Sequence, residues 1–169
     1  MKLASFEAIV RALNDADVRY LIAGGVAVNA HGYLRFTKDA DVVLDLAPDN
    51  VGRALDALQS IGYKPVLPVT TDQFADAEQR QRWIREKGMR VFQLWSDEHR
   101  ETPIDLFVEV PFSFDDEYER ALIKPLYGDI EVRFVSIPTL IRMKEAAGRD
   151  QDRIDIENLR LILDDDGQE

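Results

Sequence analysis

The chain predicts an α/β fold: a mixed β-sheet flanked by helices and followed by a C-terminal helical segment. Three observations predict it. Short apolar runs of strand length recur at 19–23, 39–46, 89–95, 104–110 and 130–135. Segments of helical periodicity separate the first of them, at 5–15 and 48–61. Beyond 136 only helical patterning remains, at 138–147 and 151–163. No internal repeat, low-complexity tract or linker interrupts the 169 residues, so a single domain is expected, with a core at about 5–135 and helices at about 136–164.

Each element has a local cause. Phe6, Ile9, Val10 and Leu13 give the first helix one apolar stripe, with Ser5 as its expected N-cap. The run 19–23 reads as a buried strand, which Gly24 and Gly25 break before a short helix that ends near His31 and Gly32. In the strand at 39–46, Ala40, Val42, Leu44 and Leu46 form the buried face. Pro48 and Asp49 open the next helix, and Gly62 stops it. Pro65 and Pro68 confine 64–68 to a loop or short edge segment. Residues 70–87 are weakly helical and very polar. Residues 111–116 read as a loop and 118–123 as a short helix.

Composition excludes several classes. The net charge of −11 argues against non-specific binding to nucleic acid, which needs a basic surface. There is no cysteine, hence no disulfide and no thiolate metal site, and a reducing cytoplasm is the expected setting. The first residues lack the apolar stretch of a signal peptide, and no apolar run approaches the ~18 residues of a membrane span. The acidic tail 164–169 reads as a frayed, solvated end.

The chemistry concentrates in residues 24–45. Asp39 and Asp41 are one residue apart on a strand, so both carboxylates point to one face. Side by side they repel each other, and a cation neutralises such a pair. Two hard oxygen donors on a rigid strand suit Mg²⁺. Asp105 is an acidic residue inside an apolar strand and joins them if the two strands pair. Gly24 and Gly25 at a helix start offer backbone N–H groups to a phosphate. A phosphate cradle beside metal carboxylates fits phosphoryl transfer, with two ions roughly 3.5–4 Å apart in such sites.

The pattern Ala23-Gly24-Gly25, thirteen residues, Asp39-Ala40-Asp41-Val42 and later Ile104-Asp105-Leu106 resembles the signature of the nucleotidyltransferase superfamily, the DNA polymerase beta-like fold. The lead-in Arg35 to Lys38 and the closing stretch 144–155 look more narrowly like small prokaryotic members, the abortive-infection toxins and lincosamide-modifying enzymes. Where the toxin pattern often has Lys-Asp, this chain has Gln151-Asp152. The resemblance implies a nucleotidyltransferase-like mixed sheet and a Mg²⁺-dependent enzyme that moves NMP from an NTP to a hydroxyl of an RNA, a protein or a small molecule. Asp39, Asp41 and Asp105 are then the catalytic and metal-binding residues. Gly24 and Gly25 bind the β/γ phosphates. Arg35 and Lys144 are their candidate cations. It also implies the toxin of a toxin–antitoxin pair, with a protein antitoxin as partner. The alternative is a non-catalytic nucleotide- or partner-binding module on the same fold.

Other residues have plainer readings. Asp45 sits near its strand end in solvent, and Arg149 and Asp152 bridge a helix joint. The basic strip 80–90 reads as a solvated helix face with Trp83 and Ile84 inward, or else as an acceptor platform. His31 and His99 read as a helix-end and a turn residue, and two histidines offer no catalytic triad.

Overall fold

Strand alternation and helix stripes sort the chain onto two faces of one sheet. The computed structural model describes residues 1–126, 128 and 130–166. Among them the order is α1 (Leu3–Asp15), β1 (Tyr20–Ile22), α2 (Gly24–Ala30), β2 (Ala40–Leu44), α3 (Pro48–Ser60), β3 (Lys64–Pro65), α4 (Thr71–Ala75), α5 (Ala77–Lys87), β4 (Val91–Trp95), β5 (Ile104–Phe107), α6 (Phe114–Arg120), β6 (Leu122–Leu126), β7 (Ile130–Phe134), α7 (Ile137–Ala147) and α8 (Asp150–Asp166). The strands form one mixed sheet in the order β3-β4-β5-β2-β1-β7-β6. β2 runs antiparallel to β1 and parallel to β5, and this register sets Asp41 opposite Asp105.

One face of the sheet is sealed by apolar side chains. Ala40, Val42, Leu44, Ile104, Leu106, Phe92 and Leu94 are buried there, at alternate positions of β2, β5 and β4. Phe92 stacks on Phe74 of α4 at 4.8 Å and on Trp83 of α5 at 5.8 Å. Each such buried side chain contributes about 1.5–3 kcal/mol. The intervening residues Asp41, Asp105, Phe107 and Gln93 face the other way, where α7 passes over them. No helix among the described residues is long and apolar enough to cross a membrane.

Four expectations change. Lys2, not Ser5, is the N-cap of α1; Ser5 is buried and its hydroxyl lies 3.0 Å from Nδ1 of His99. The helix expected at 118–123 comes earlier, as α6, and Leu122–Leu126 is a strand paired antiparallel with β7. The sheet-edge position lets this strand keep Pro125 and stay largely exposed, which removes the apolar alternation that marks a strand. Residues 70–87 divide at Asp76, whose carboxylate accepts from the Glu78 N–H and starts a second helix. Finally, α8 continues through Asp166, so Asp164 and Asp165 are helical; residues 167–169 of the expected frayed tail lie outside the described residues.

The helix that covers the open face is anchored by one buried acid. Glu117 of α6 is fully enclosed and accepts from Ser136 N–H and the Thr139 hydroxyl, both at 2.6 Å, and from Arg120 at 2.8 Å. Its carboxylate thus satisfies the first turn of α7. Burial alone would raise its pKa; the bonds from Thr139, Ser136 and Arg120 outweigh burial and hold it below the usual range. Glu117→Ala is expected to lower unfolding free energy by about 1–3 kcal/mol. In urea titrations the midpoint should fall with little change in slope.

Candidate active site

The site starts from a glycine. Gly24 has φ +58°, in the left-handed region, and a Cβ built there would lie 1.7 Å from Asp41 Oδ2. The strand β1 ends at Ile22, and Ala23 N–H bonds to the Asp41 carbonyl at 2.9 Å, which sets the turn against that carboxylate. At Gly25 a Cβ would meet Thr37 Oγ1 at 2.6 Å and Arg35 Nη2 at 2.9 Å. The two glycines therefore let a backbone turn touch three polar side chains.

Asp41 and Asp105 sit side by side on β2 and β5, and Asp39 immediately precedes β2. Thr37 Oγ1 lies 3.4 Å from Asp39 Oδ1. Gln93, opposite Asp105 on β4, donates Nε2 to Asp105 Oδ1 at 2.9 Å. Burial, then Asp39 and Asp105, push the Asp41 carboxyl up to about 7, against the pull of Arg149 and Lys144. Asp105 is also raised, by burial first and by Asp39, with Gln93 and Arg149 opposing. Among the described residues no three acidic or imidazole side chains close around a single point.

A second set of carboxylates has the opposite character. Asp155 of α8 is enclosed and accepts from Lys144 Nζ at 2.5 Å, Arg35 Nη2 at 2.9 Å and Gln151 at 3.0 Å, with Arg35 Nε at ion-pair distance, 2.8 Å. Asp152 takes Lys144 at 3.3 Å and Arg149 Nε at 2.8 Å. Burial alone would raise both carboxyls. Hydrogen bonds from Arg149 to Asp152 and from Lys144 to Asp155 outweigh it and hold both low. Arg35 is delivered by its backbone: Asn29 of α2 bonds to both the Arg35 N–H and carbonyl. Its side chain is only 18% exposed, whereas the flanking Leu34 and Phe36 are 81% and 74% exposed.

Five of these residues line a cleft of about 550 Å³ and the others stand behind them. Gly24, Asp41, Asp105, Lys144 and Arg149 line one part, and Val91, Phe107, Leu140 and Met143 the apolar remainder. All of the residues singled out from sequence, Gly24, Gly25, Arg35, Asp39, Asp41, Asp105 and Lys144, thus lie in or beside one cleft. Lys144 is buried, only 4% exposed. Arg149 and Asp152 do bridge the α7–α8 joint, and Arg149 also faces the carboxylates. The basic strip lies elsewhere: Arg80 is buried on the carbonyls of Phe74 and Ala75, and Trp83 packs on the opposite face of the sheet. Only Arg90 of the strip lines the cleft. Asp45 pairs with Arg19 at 2.6 Å. Gln93 and Asp155 were not readable from the sequence, because only the strand register and the α8 packing bring them to the site.

The family model described as nucleotidyl transferase AbiEii toxin, type IV toxin–antitoxin system, matches residues 8–155. No curated protein matches. Among solved structures, the lincosamide antibiotic adenylyltransferase LnuA, lincomycin-bound, aligns with TM-score 0.60 and 17% identity, over 91% of this chain and 93% of that one. ANT(2")-Ia in complex with adenylyl-2"-tobramycin aligns with TM-score 0.57 and 11% identity, over 95% and 93%. An antigenic nucleotidyltransferase-like protein from Paracoccidioides brasiliensis aligns with TM-score 0.50 and 17% identity, over 95% and 74%. At these identities the structural likeness shows a shared fold.

The raised Asp41 carboxyl has a measurable sign. Between its ordinary value near 4 and about 7, the folded chain holds a proton that the unfolded chain has released. Stability without metal should therefore fall as pH rises through that window. In EDTA, Asp41→Asn is expected to melt above wild type at pH 8 and to lose that part of the pH slope; parallel melting profiles would contradict the buried repulsion.

Proposed function

The chain belongs to the nucleotidyl transferase AbiEii toxin family, and on that premise we propose that it moves a nucleoside monophosphate from an NTP to an acceptor hydroxyl. The observation that carries this reading is the register that sets Asp41 beside Asp105 while Asp41 presses on Gly24. The bond formed is acceptor oxygen to α-phosphorus, and the bond broken joins α-phosphorus to the bridging oxygen of pyrophosphate, which leaves. The hydroxyl proton goes to Asp105. Gln93 already donates to Oδ1 of that carboxylate, which favours Oδ2 as the atom that takes the proton. A carboxyl raised by burial is a better base than an ordinary one.

The donor set fits a divalent cation: hard carboxylate oxygens, with the Asp41 carboxyl raised by burial and by its acidic neighbours, so that added positive charge favours its ionised form. Asp39, Asp41 and Asp105 would hold Mg²⁺, in a two-ion arrangement, and the ions would supply charge neutralisation and a more acidic acceptor hydroxyl. Lys144 and Arg35 bind the departing phosphates as point charge and planar fork respectively. Gly24 and Gly25 leave room for those phosphates to approach backbone N–H groups. The acceptor hydroxyl belongs to an RNA, a protein or a small molecule. The family description supports the role of the toxin of a toxin–antitoxin system, and the reading extends this to a cytoplasmic setting and a protein antitoxin partner.

The test is transfer itself. With Mg²⁺, each α-labelled NTP in turn, and total RNA, total protein, lincosamides or aminoglycosides as acceptors, the chain should label one acceptor class. Asp41→Ala should reduce labelling by about 10²–10³-fold or more. No transfer by wild type under any of these conditions would contradict catalysis. A thermal shift by NTP and Mg²⁺ that survives Asp39→Ala and Asp41→Ala would support the binding-module alternative.

A further inference from the structure

Nucleotidyl transfer constrains direction as well as distance. In an in-line displacement the attacking oxygen, the α-phosphorus and the leaving oxygen share one line, and the nucleoside departs sideways from it. If the chain works as proposed above, its own residues fix that line. Arg35, Lys144, Gly24 and Gly25 mark the pyrophosphate end, beside α2. Asp105 on β5 marks the acceptor end, and Asp41 on β2 lies between them in register. The line therefore crosses the strands; α7 faces the sheet across the cleft and closes the direction away from it, so the nucleoside leaves along the strands.

Along the strands there are two ways out. Toward the starts of β2 and β5 lies a hollow lined by Phe36, Lys38, Arg100 and Pro103, which includes neither catalytic carboxylate nor glycine. In the other direction the cleft that contains Asp41 and Asp105 continues past Phe107 to Glu109 and Pro111, bounded on its other side by Leu140, Met143 and Ala147 of α7. Only this second route is continuous with the reacting groups. Its walls are apolar and include an aromatic ring and a thioether, which suit the flat face of a base. Phe107 and Val91 are paired across β5 and β4 and make the sheet side of the slot. Arg90 and Glu109, at its end, offer a donor fork and an acceptor to a base edge.

We propose that the apolar end of this cleft, between Phe107 on β5 and Met143 on α7, is the seat of the NTP's nucleobase. The assignment separates two kinds of binding energy: the cations and glycines hold the triphosphate, and the slot holds the base. It leaves the surface around the exposed Gln93 side chain to the acceptor.

The experiment compares inorganic tripolyphosphate with ATP, GTP, CTP and UTP, each with Mg²⁺, by calorimetric titration. Ala147 is exposed at the last residue of α7 and lines the slot, so Ala147→Trp fills it without entering the core. The variant should bind the preferred NTP at least tenfold more weakly and tripolyphosphate within twofold of wild type. Phe107→Ala, which removes the opposite wall, should give the same split, with folding checked by its melting curve. NTP affinity unchanged in both variants, or NTP and tripolyphosphate affinities falling together in a folded variant, would overturn the assignment. Wild type that binds neither NTP nor tripolyphosphate would remove the nucleotidyl-transfer reading, and this inference with it.

Discussion

Asp41 occupies the volume that any side chain at residue 24 would need, and the rest of the site depends on that close approach. A carboxylate buried against a backbone turn loses hydration that no hydrogen bond from the turn replaces. Two further carboxylates stand nearby, so the loss is compounded by repulsion, and the pKa of Asp41 moves to about 7. Such an arrangement lowers the stability of the chain alone. It makes sense where positive charge is supplied during function, and the fold spends a rigid register, β1 to β2 to β5, on keeping it in place.

The neighbouring acids show what the same chain does when stability is served. Asp152 and Asp155 are as buried as any residue, yet their carboxyls are held low, because Lys144, Arg149 and Arg35 are bonded to them. This network ties α7, whose Lys144 lines the cleft, to α8 and to the loop before β2. Its cations face the phosphates that the site is proposed to bind, and its anions keep those cations in position. Removing Asp155 would leave the largely buried Arg35 without its ion-pair partner, a costly outcome for a protein interior. Two environments thus sort four aspartates within one small region into a raised pair and a lowered pair.

How much of this was legible in the sequence follows from the range of each interaction. Gly24, Gly25, Asp39 and Asp41 lie within eighteen residues, and their meaning depends on a local turn and strand alternation, so they could be read directly. Asp105 required the assumption that two strands pair, which the register bears out. Asp155 and Gln93 could not be read, since one needs the packing of α8 on the loop at residue 35 and the other a cross-strand partner. β6 was missed because an exposed edge strand with Pro125 carries no apolar alternation. The burial of Lys144 could not be read either, since it depends on the two acids of α8 that pair with it.

The central claim is that the Gly24–Asp41 apposition exists to hold a metal-bound triphosphate. Anomalous diffraction from crystals grown with Mn²⁺ and a non-hydrolysable NTP tests it most directly. The account predicts an anomalous peak coordinated by Asp39 and Asp41, with phosphate oxygens against Gly24 and Gly25. Nucleotide bound with no metal at those carboxylates, or metal and nucleotide bound together outside this cleft, would contradict it.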